Sequence, residues 1–305
     1  MTPDLNVKIG GLTLQNPVMP ASGCFGYGEE YAPFYDLGKL GAIVVKGTSA
    51  EPCMGNPPVR LAETPAGMLN AIGLQNSGVH AAREKIKRLA HYNVPVIVNV
   101  AGHSVGAYRV VMEVLEDESL AAAYELNISC PNVSAGGMAF GTDPKVVAAL
   151  VKELRQATKK TLIVKLSPNV TDIVAIAKAA EESGADALSL INTLLGMAID
   201  TKTRKPVLAN ITGGLSGPAI KPVALRMVWQ VTSAVHIPVI GMGGISSAQD
   251  AVEFLLAGAQ AVAIGAANFK NPTVCAEVVE GIAAYLKENN FSSVREIVGL
   301  AKQKQ

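Results

Sequence analysis

Eight short, apolar, β-rich runs recur along this chain of 305 residues: Pro17 to Ala21, Ala42 to Gly47, Pro95 to Ala101, Ala123 to Cys130, Leu162 to Ser167, Ala187 to Thr193, Pro238 to Gly243 and Ala261 to Ala266. Most are continuous rather than alternating, which is the pattern of strands buried on both faces of a parallel sheet. Between them lie helical patterns with defined ends. Thr171 and Asp172 open Ile173 to Ser183, with Gly184 beyond. Thr142, Asp143 and Pro144 open Val146 to Thr158, and Ser246 and Ser247 precede Ala248 to Ala257, closed by Gly258. Oxygen-bearing caps at the start and glycine at the stop mark helix boundaries. Eight strands alternating with helices predict an α/β fold, a single (β/α)8 TIM barrel occupying residues 1–305 as one domain. Ahead of the barrel, Leu5 to Ile9 and Leu12 to Gln15 flank Gly10-Gly11, predicting an N-terminal hairpin beneath it.

Composition removes several alternatives. Only 17% of residues are charged, against about a quarter in an ordinary soluble chain, so much of this one must be buried and disorder is excluded. The 26 basic and 25 acidic side chains leave a formal charge of +1. With no basic run longer than a pair, nucleic acid is not an expected partner. No apolar stretch reaches the ~20 residues that span a bilayer. The first fifteen residues lack the pattern of a secretory leader, so a cytoplasmic, membrane-free protein is expected. Cys24, Cys53, Cys130 and Cys275 are scattered, without a C-x-x-C pair, which argues against a metal site or a disulfide framework.

The strands are unevenly spaced, and the surplus falls after strands two, four and six, in Thr48 to Ser77, Pro131 to Gly141 and Leu194 to Pro218. These long loops follow strands, so they lie at the C-terminal face where barrel enzymes keep their active sites, and a lid is expected there. Strands seven and eight end in glycine clusters, Gly241 to Ile245 and Gly265 to Ala267, each leading toward a helix. Backbone N–H groups without an intervening Cβ, beside a helix N-terminus, suit a phosphate. The plainer alternative is that the glycines only permit tight turns.

Two lysines, Lys46 and Lys165, interrupt apolar strands. An internal ion pair needs an acid at a facing strand end. Strands one, two, three, five, seven and eight offer none, so an anionic ligand is the favoured partner. Asn99, Asn127, Asn132 and Asn192 gather at strand ends, with Asn70 in the second loop. Carboxamides both donate and accept, so such a ring suits a flat heterocycle with amide or imide groups. Cys130, in Asn127-Ile-Ser-Cys-Pro-Asn132, stands where a thiol could accept a proton if its pKa were lowered. Neither histidines nor carboxylates cluster at the strand ends, so metal-dependent hydrolysis and paired-carboxylate chemistry fit poorly. His103 alone among the histidines could face the site. An organic cofactor is the better expectation.

The motifs Ala21-Ser-Gly23, Val45-Lys-Gly-Thr48, Asn70-Ala-Ile-Gly-Leu-Gln-Asn76, Asn127-Ile-Ser-Cys-Pro-Asn132, Ile191-Asn-Thr193, Gly213-Gly-Leu-Ser-Gly217 and the two terminal glycine clusters together resemble the dihydroorotate dehydrogenases, FMN enzymes of de novo pyrimidine (UMP) biosynthesis, over essentially the whole chain. The resemblance implies one FMN per chain, contacted by Ser22, Lys46, Gly47, Asn99, Asn127, Lys165, Ile191, Gly217, Gly243, Gly244, Gly265 and Ala266, the last four taking the phosphate. It implies substrate contacts from Lys46, Asn70, Ala71, Ile72, Gly73, Leu74, Asn127, Asn132, Asn192 and Thr193, with Lys46 helping to hold the carboxylate. By the same resemblance Cys130 is the base that takes the C5 proton of dihydroorotate, and the product is orotate.

A cysteine base marks the soluble class. Ala21 to Gly28 and Thr64 to Asn70 look like its NAD-linked branch, which implies a homodimer of this chain within a heterotetramer. The electron-transfer partner subunit of that branch carries FAD and a [2Fe-2S] cluster, and no dinucleotide-binding fingerprint is evident in this chain itself. One departure is Ser77, where that branch leads us to expect proline. Three alternatives stay open: a fumarate-reducing homodimer with the same reaction, a flavin barrel acting on tRNA dihydrouridine, and a flavin-free interaction module. The second lacks the basic face and RNA-binding extension it would need.

Overall fold

The computed structural model describes residues 2–117, 120–128 and 140–303. All eight apolar runs coincide, to within a residue or a few at either end, with strands: Val18–Pro20, Ile43–Thr48, Val96–Val100, Ala123–Asn127, Thr161–Lys165, Ala187–Leu190, Val239–Met242 and Ala261–Ile264. They pair in parallel, each with its sequence neighbour, and strand eight returns to strand one through Val262 opposite Val18. The last gap, between strands one and two, is bridged by a hydrogen bond from Gly41 N to Val18 O at 2.9 Å. A parallel sheet closed in this way has two faces to bury, and every residue of strands three, five, six, seven and eight is buried. That explains why the strands read as continuous apolar runs. The fold is the expected (β/α)8 barrel.

The predicted caps hold the helices. Asp172 accepts from Val174 N and Ala175 N at the start of Ile173–Glu182, Asp143 accepts from Lys145 N before Pro144–Arg155, and Ser247 accepts from Asp250 N before Ala248–Leu256. The N-terminal hairpin pairs Val7–Ile9 with Leu12–Leu14. Gly11 N donates to Thr161 Oγ1 at 3.0 Å, at the first residue of strand five, so the hairpin sits at the bottom of the barrel.

The loops after strands two and six are more ordered than a bare lid. Leu61–Thr64 and Gly67–Asn70 from the second loop join Leu194–Met197 and Thr212–Ser216 from the sixth in one antiparallel sheet, with Asn70 opposite Gly214. Two segments about 140 residues apart thus form one roof over the C-terminal face. No helix among the described residues is long and apolar enough to cross a membrane.

Closure of the barrel depends on a close backbone approach. A Cβ at position 41 would stand 2.0 Å from Asn16 O. Gly41→Ala should therefore destabilise the chain by at least the ~1–3 kcal/mol typical of overpacking, read as a lowered midpoint in urea unfolding. An unchanged midpoint would mean that the seam between strands one and two carries little of the fold's stability.

Candidate active site

The strand ends bring a connected set of polar side chains to the C-terminal mouth. Strand two carries a register irregularity against strand three between Val45 and Thr48, the stretch that contains Lys46 and Gly47. A bulge of this kind re-aims a side chain. Lys46 N leaves the ladder and bonds to Gly26 O at 3.0 Å, and the Lys46 side chain makes no ion pair among the described residues. Burial, reinforced by the nearby cations Arg60 and Lys85, lowers its pKa below the ordinary lysine value. The cluster is electropositive, as a site for an anion should be.

Lys165 is a different case, and the expectation of an anionic ligand as its partner is corrected here. Glu125, on strand four, lies with Oε2 at 3.8 Å from Lys165 Nζ, both side chains almost wholly buried. The acid sits on strand four, one of the two neighbours of strand five that the six acid-free strands leave out. Glu125 also accepts from Asn99 Nδ2 at 2.6 Å and from Ser189 Oγ at 2.7 Å, joining strands three, four, five and six. Asn99 Oδ1 is buried and has no hydrogen-bond partner among the described residues. A Cβ on Gly47 would come within 3.1 Å of that oxygen.

A second chain of contacts runs toward the roof. Asn192 Nδ2 lies 3.4 Å from Asn127 Oδ1, Thr193 N donates to Asn192 Oδ1 at 2.8 Å, and Asn70 Nδ2 donates to Gly214 O at 3.2 Å. Thr193 packs so tightly on Gly214 that a Cβ there would stand 2.0 Å from Thr193 Oγ1. The segment Asn70 to Leu74 is held from behind: Asn56 N and Nδ2 donate to Ile72 O and Ala71 O, and Cys53 Sγ donates to Gly73 O. Leu74 in turn reaches within 3.8 Å of where a Gly47 Cβ would be. The structure thus brings Lys46, Gly47, Asn70, Leu74, Asn99, Asn127, Lys165, Asn192 and Thr193 to one end of the barrel.

The glycine clusters border the same mouth. Ala21 N bonds Ile264 O at 2.7 Å, which sets Ser22 beside the end of strand eight, and a Cβ on Gly265 would meet only Cys24 Sγ and Ala21 Cβ, at 3.6 and 3.8 Å. Gly243 lies against Ile191 and Ala224, Gly244 against the start of the helix Lys221–Thr232, and Gly217 against Gly67. Ala266 directly precedes the short helix Ala267–Lys270. Cys130 and Asn132 lie outside the described residues, as does most of the loop after strand four.

Cys24 is half-buried near Lys165, and desolvation pushes its thiol up to about 11 despite that cation. At neutral pH it is a protonated thiol and no base. His103 is exposed. Sequence inspection passes over Glu125, Ser189 and Arg60. A lone acid inside an apolar strand is the sign that could have found the first, whereas Arg60 reaches the site through the roof, donating to Gln75 Oε1 at 2.6 Å.

Residues 4–286 match the model of the dihydroorotate dehydrogenase family. Proteins named dihydroorotate dehydrogenase B (NAD(+)), catalytic subunit, are similar to almost the whole chain. That of Pelobacter propionicus is 58% identical over 300 residues, covering 98% of this chain and 99% of its own. Those of Geotalea uraniireducens and Bacteroides thetaiotaomicron are each 57% identical over 298 and 297 residues, covering 97% of this chain and 98% of theirs. A barrel of this topology with amide, lysine and glycine groups at one mouth, matched along nearly its full length, belongs to the dihydroorotate dehydrogenase family of oxidoreductases.

Proposed function

We propose that this chain oxidises (S)-dihydroorotate to orotate through a bound FMN, and passes the electrons to NAD by way of a partner subunit that carries FAD and a [2Fe-2S] cluster. We also infer that residues 1–305 form one FMN-binding domain, that two copies sit within a heterotetramer, and that the assembly is cytoplasmic. The observation that carries the cofactor reading is the buried, unpartnered Asn99 Oδ1. A buried acceptor without a partner costs ~1–3 kcal/mol, and a ligand N–H beside Gly47 relieves that cost. The relatives' printed names support the substrate and NAD.

A bound FMN would supply the hydride-accepting chemistry for oxidation at C6 of dihydroorotate. The chain's own residues do the rest. Backbone N–H groups of Gly243, Gly244, Gly265 and Ala266, with Gly217 alongside, hold the phosphate. Ser22, Gly47, Asn99, Asn127 and Ile191 line the ring site. Lys165 supplies a fixed cation where charge gathers on reduction. Lys46 binds the substrate carboxylate, while Asn70 to Leu74, Asn127, Asn132, Asn192 and Thr193 orient the pyrimidine ring. Cys130 takes the C5 proton, and general-base assistance of this kind is worth about 10²–10⁴ in rate.

An anaerobic visible spectrum tests the reading directly. Dihydroorotate should bleach the flavin of the purified chain, and NAD should reoxidise it only after the partner subunit is added. Rapid reoxidation by fumarate alone would assign the chain to the homodimeric branch, and flavin that never bleaches would sink the substrate assignment. Cys130→Ser should keep its flavin and lose about 10²-fold or more in turnover near neutral pH. Full turnover in that variant would remove Cys130 from the mechanism.

The lowered pKa of Lys46 makes a second test. Its cation is present at neutral pH and is lost, as pH rises, before that of an exposed lysine. KM for the anionic substrate should therefore climb on the alkaline side, and Lys46→Arg, which keeps its charge at every accessible pH, should flatten that rise. A wild-type KM that stays level through the alkaline range would show that another group holds the carboxylate.

A further inference from the structure

The carboxylate of Glu125 plays no part in the chemistry proposed above, yet it lies at the centre of the polar cluster. It accepts from Asn99 Nδ2 at 2.6 Å and Ser189 Oγ at 2.7 Å, and stands 3.8 Å from Lys165 Nζ. A charge in this position is costly, and apolar packing of the same volume is often at least as stable, so core stability alone does not account for it. Its effect on the neighbours does. An ionised carboxylate only accepts hydrogen bonds, so the Asn99 amide has one permitted orientation, with its NH2 on Glu125 and its oxygen turned away. That oxygen is the one left buried without a partner among the described residues.

We propose that Glu125 is a positioning residue with two effects on the flavin site: it locks Asn99 as a hydrogen-bond acceptor toward an N–H donor of the bound flavin, and its negative charge weakens the field that Lys165 exerts there. The inference rests on the FMN reading given under Proposed function. The two effects are separable by substitution. In Glu125→Gln the new amide oxygen accepts from Asn99 while its NH2 donates to Ser189, whose hydroxyl can accept. Orientation survives and charge is lost. In Glu125→Ala both are lost.

The test compares FMN dissociation constants, from the quenching of flavin fluorescence, and flavin midpoint potentials, from spectroscopic redox titration, for the wild type and both variants. Glu125→Gln should bind FMN within about threefold of wild type, with a more positive midpoint, because an uncompensated Lys165 favours the more negatively charged reduced form. Glu125→Ala should weaken FMN at least about tenfold, the loss of roughly one oriented hydrogen bond.

A merely structural role would lower thermal stability and leave the midpoint where it was. An unchanged midpoint in Glu125→Gln therefore overturns the inference even if the alanine variant does not fold, as does unchanged FMN affinity in a folded alanine variant. Variants that match a flavin-loaded wild type remove the role of Glu125 alone. A wild-type chain that takes up no FMN removes the cofactor reading, and the inference with it.

Discussion

In a parallel sheet closed on itself and buried on both faces an unpaired polar group is costly, because desolvating one without a partner costs more than most single contacts return. This constraint distributes the chemistry of the chain. Polar side chains are displaced to the C-terminal ends of the strands, as Lys46, Asn127 and Asn192 are, or are paired where they remain inside, as Glu125 is with Asn99, Ser189 and Lys165. The roof follows from the same requirement. Loops that cover the mouth must satisfy their own backbone groups, and the second and sixth do so by pairing with each other.

The barrel was legible because its signals are local. Continuous apolar runs, Asp and Ser caps and terminal glycines each operate within a few residues, and every predicted strand overlaps an observed one. The roof was not legible, because its strands are only four or five residues long and the pairing that joins the two loops, Gly67–Asn70 with Thr212–Ser216, links segments far apart in sequence. Nothing local reports the register that sets Asn70 opposite Gly214. At the site, residue types were legible and partnerships were not. Lys165 stands out in the sequence as a buried cation, but its partner is fixed by the registration of strand four beside strand five, with Asn127 opposite Lys165. One acid in Ala123–Asn127 is enough to change an apparently ligand-seeking lysine into one that already has an internal counter-charge.

The two lysines therefore divide the electrostatic work. Lys165 is buried against Glu125, and its charge is partly offset there. Lys46 makes no ion pair among the described residues, and burial together with Arg60 and Lys85 outweighs the opposing carboxylate of Glu30, so its charge is the less compensated of the two.

The glycines separate along a similar line. Gly243 and Gly244 have φ values of +124° and +79°, and a Cβ at either would stand 2.7 Å from the nearest side-chain carbon, so packing within the protein already requires glycine there. Gly265 differs. Its φ is not in the left-handed region, and a Cβ would meet nothing closer than 3.6 Å, an ordinary contact. Gly47 is similar in backbone, and there the only tight neighbour is the unpartnered Asn99 Oδ1, at 3.1 Å. Packing within the protein thus accounts for glycine at 243 and 244, whereas at 47 and 265 neither backbone strain nor close packing by other carbons requires it.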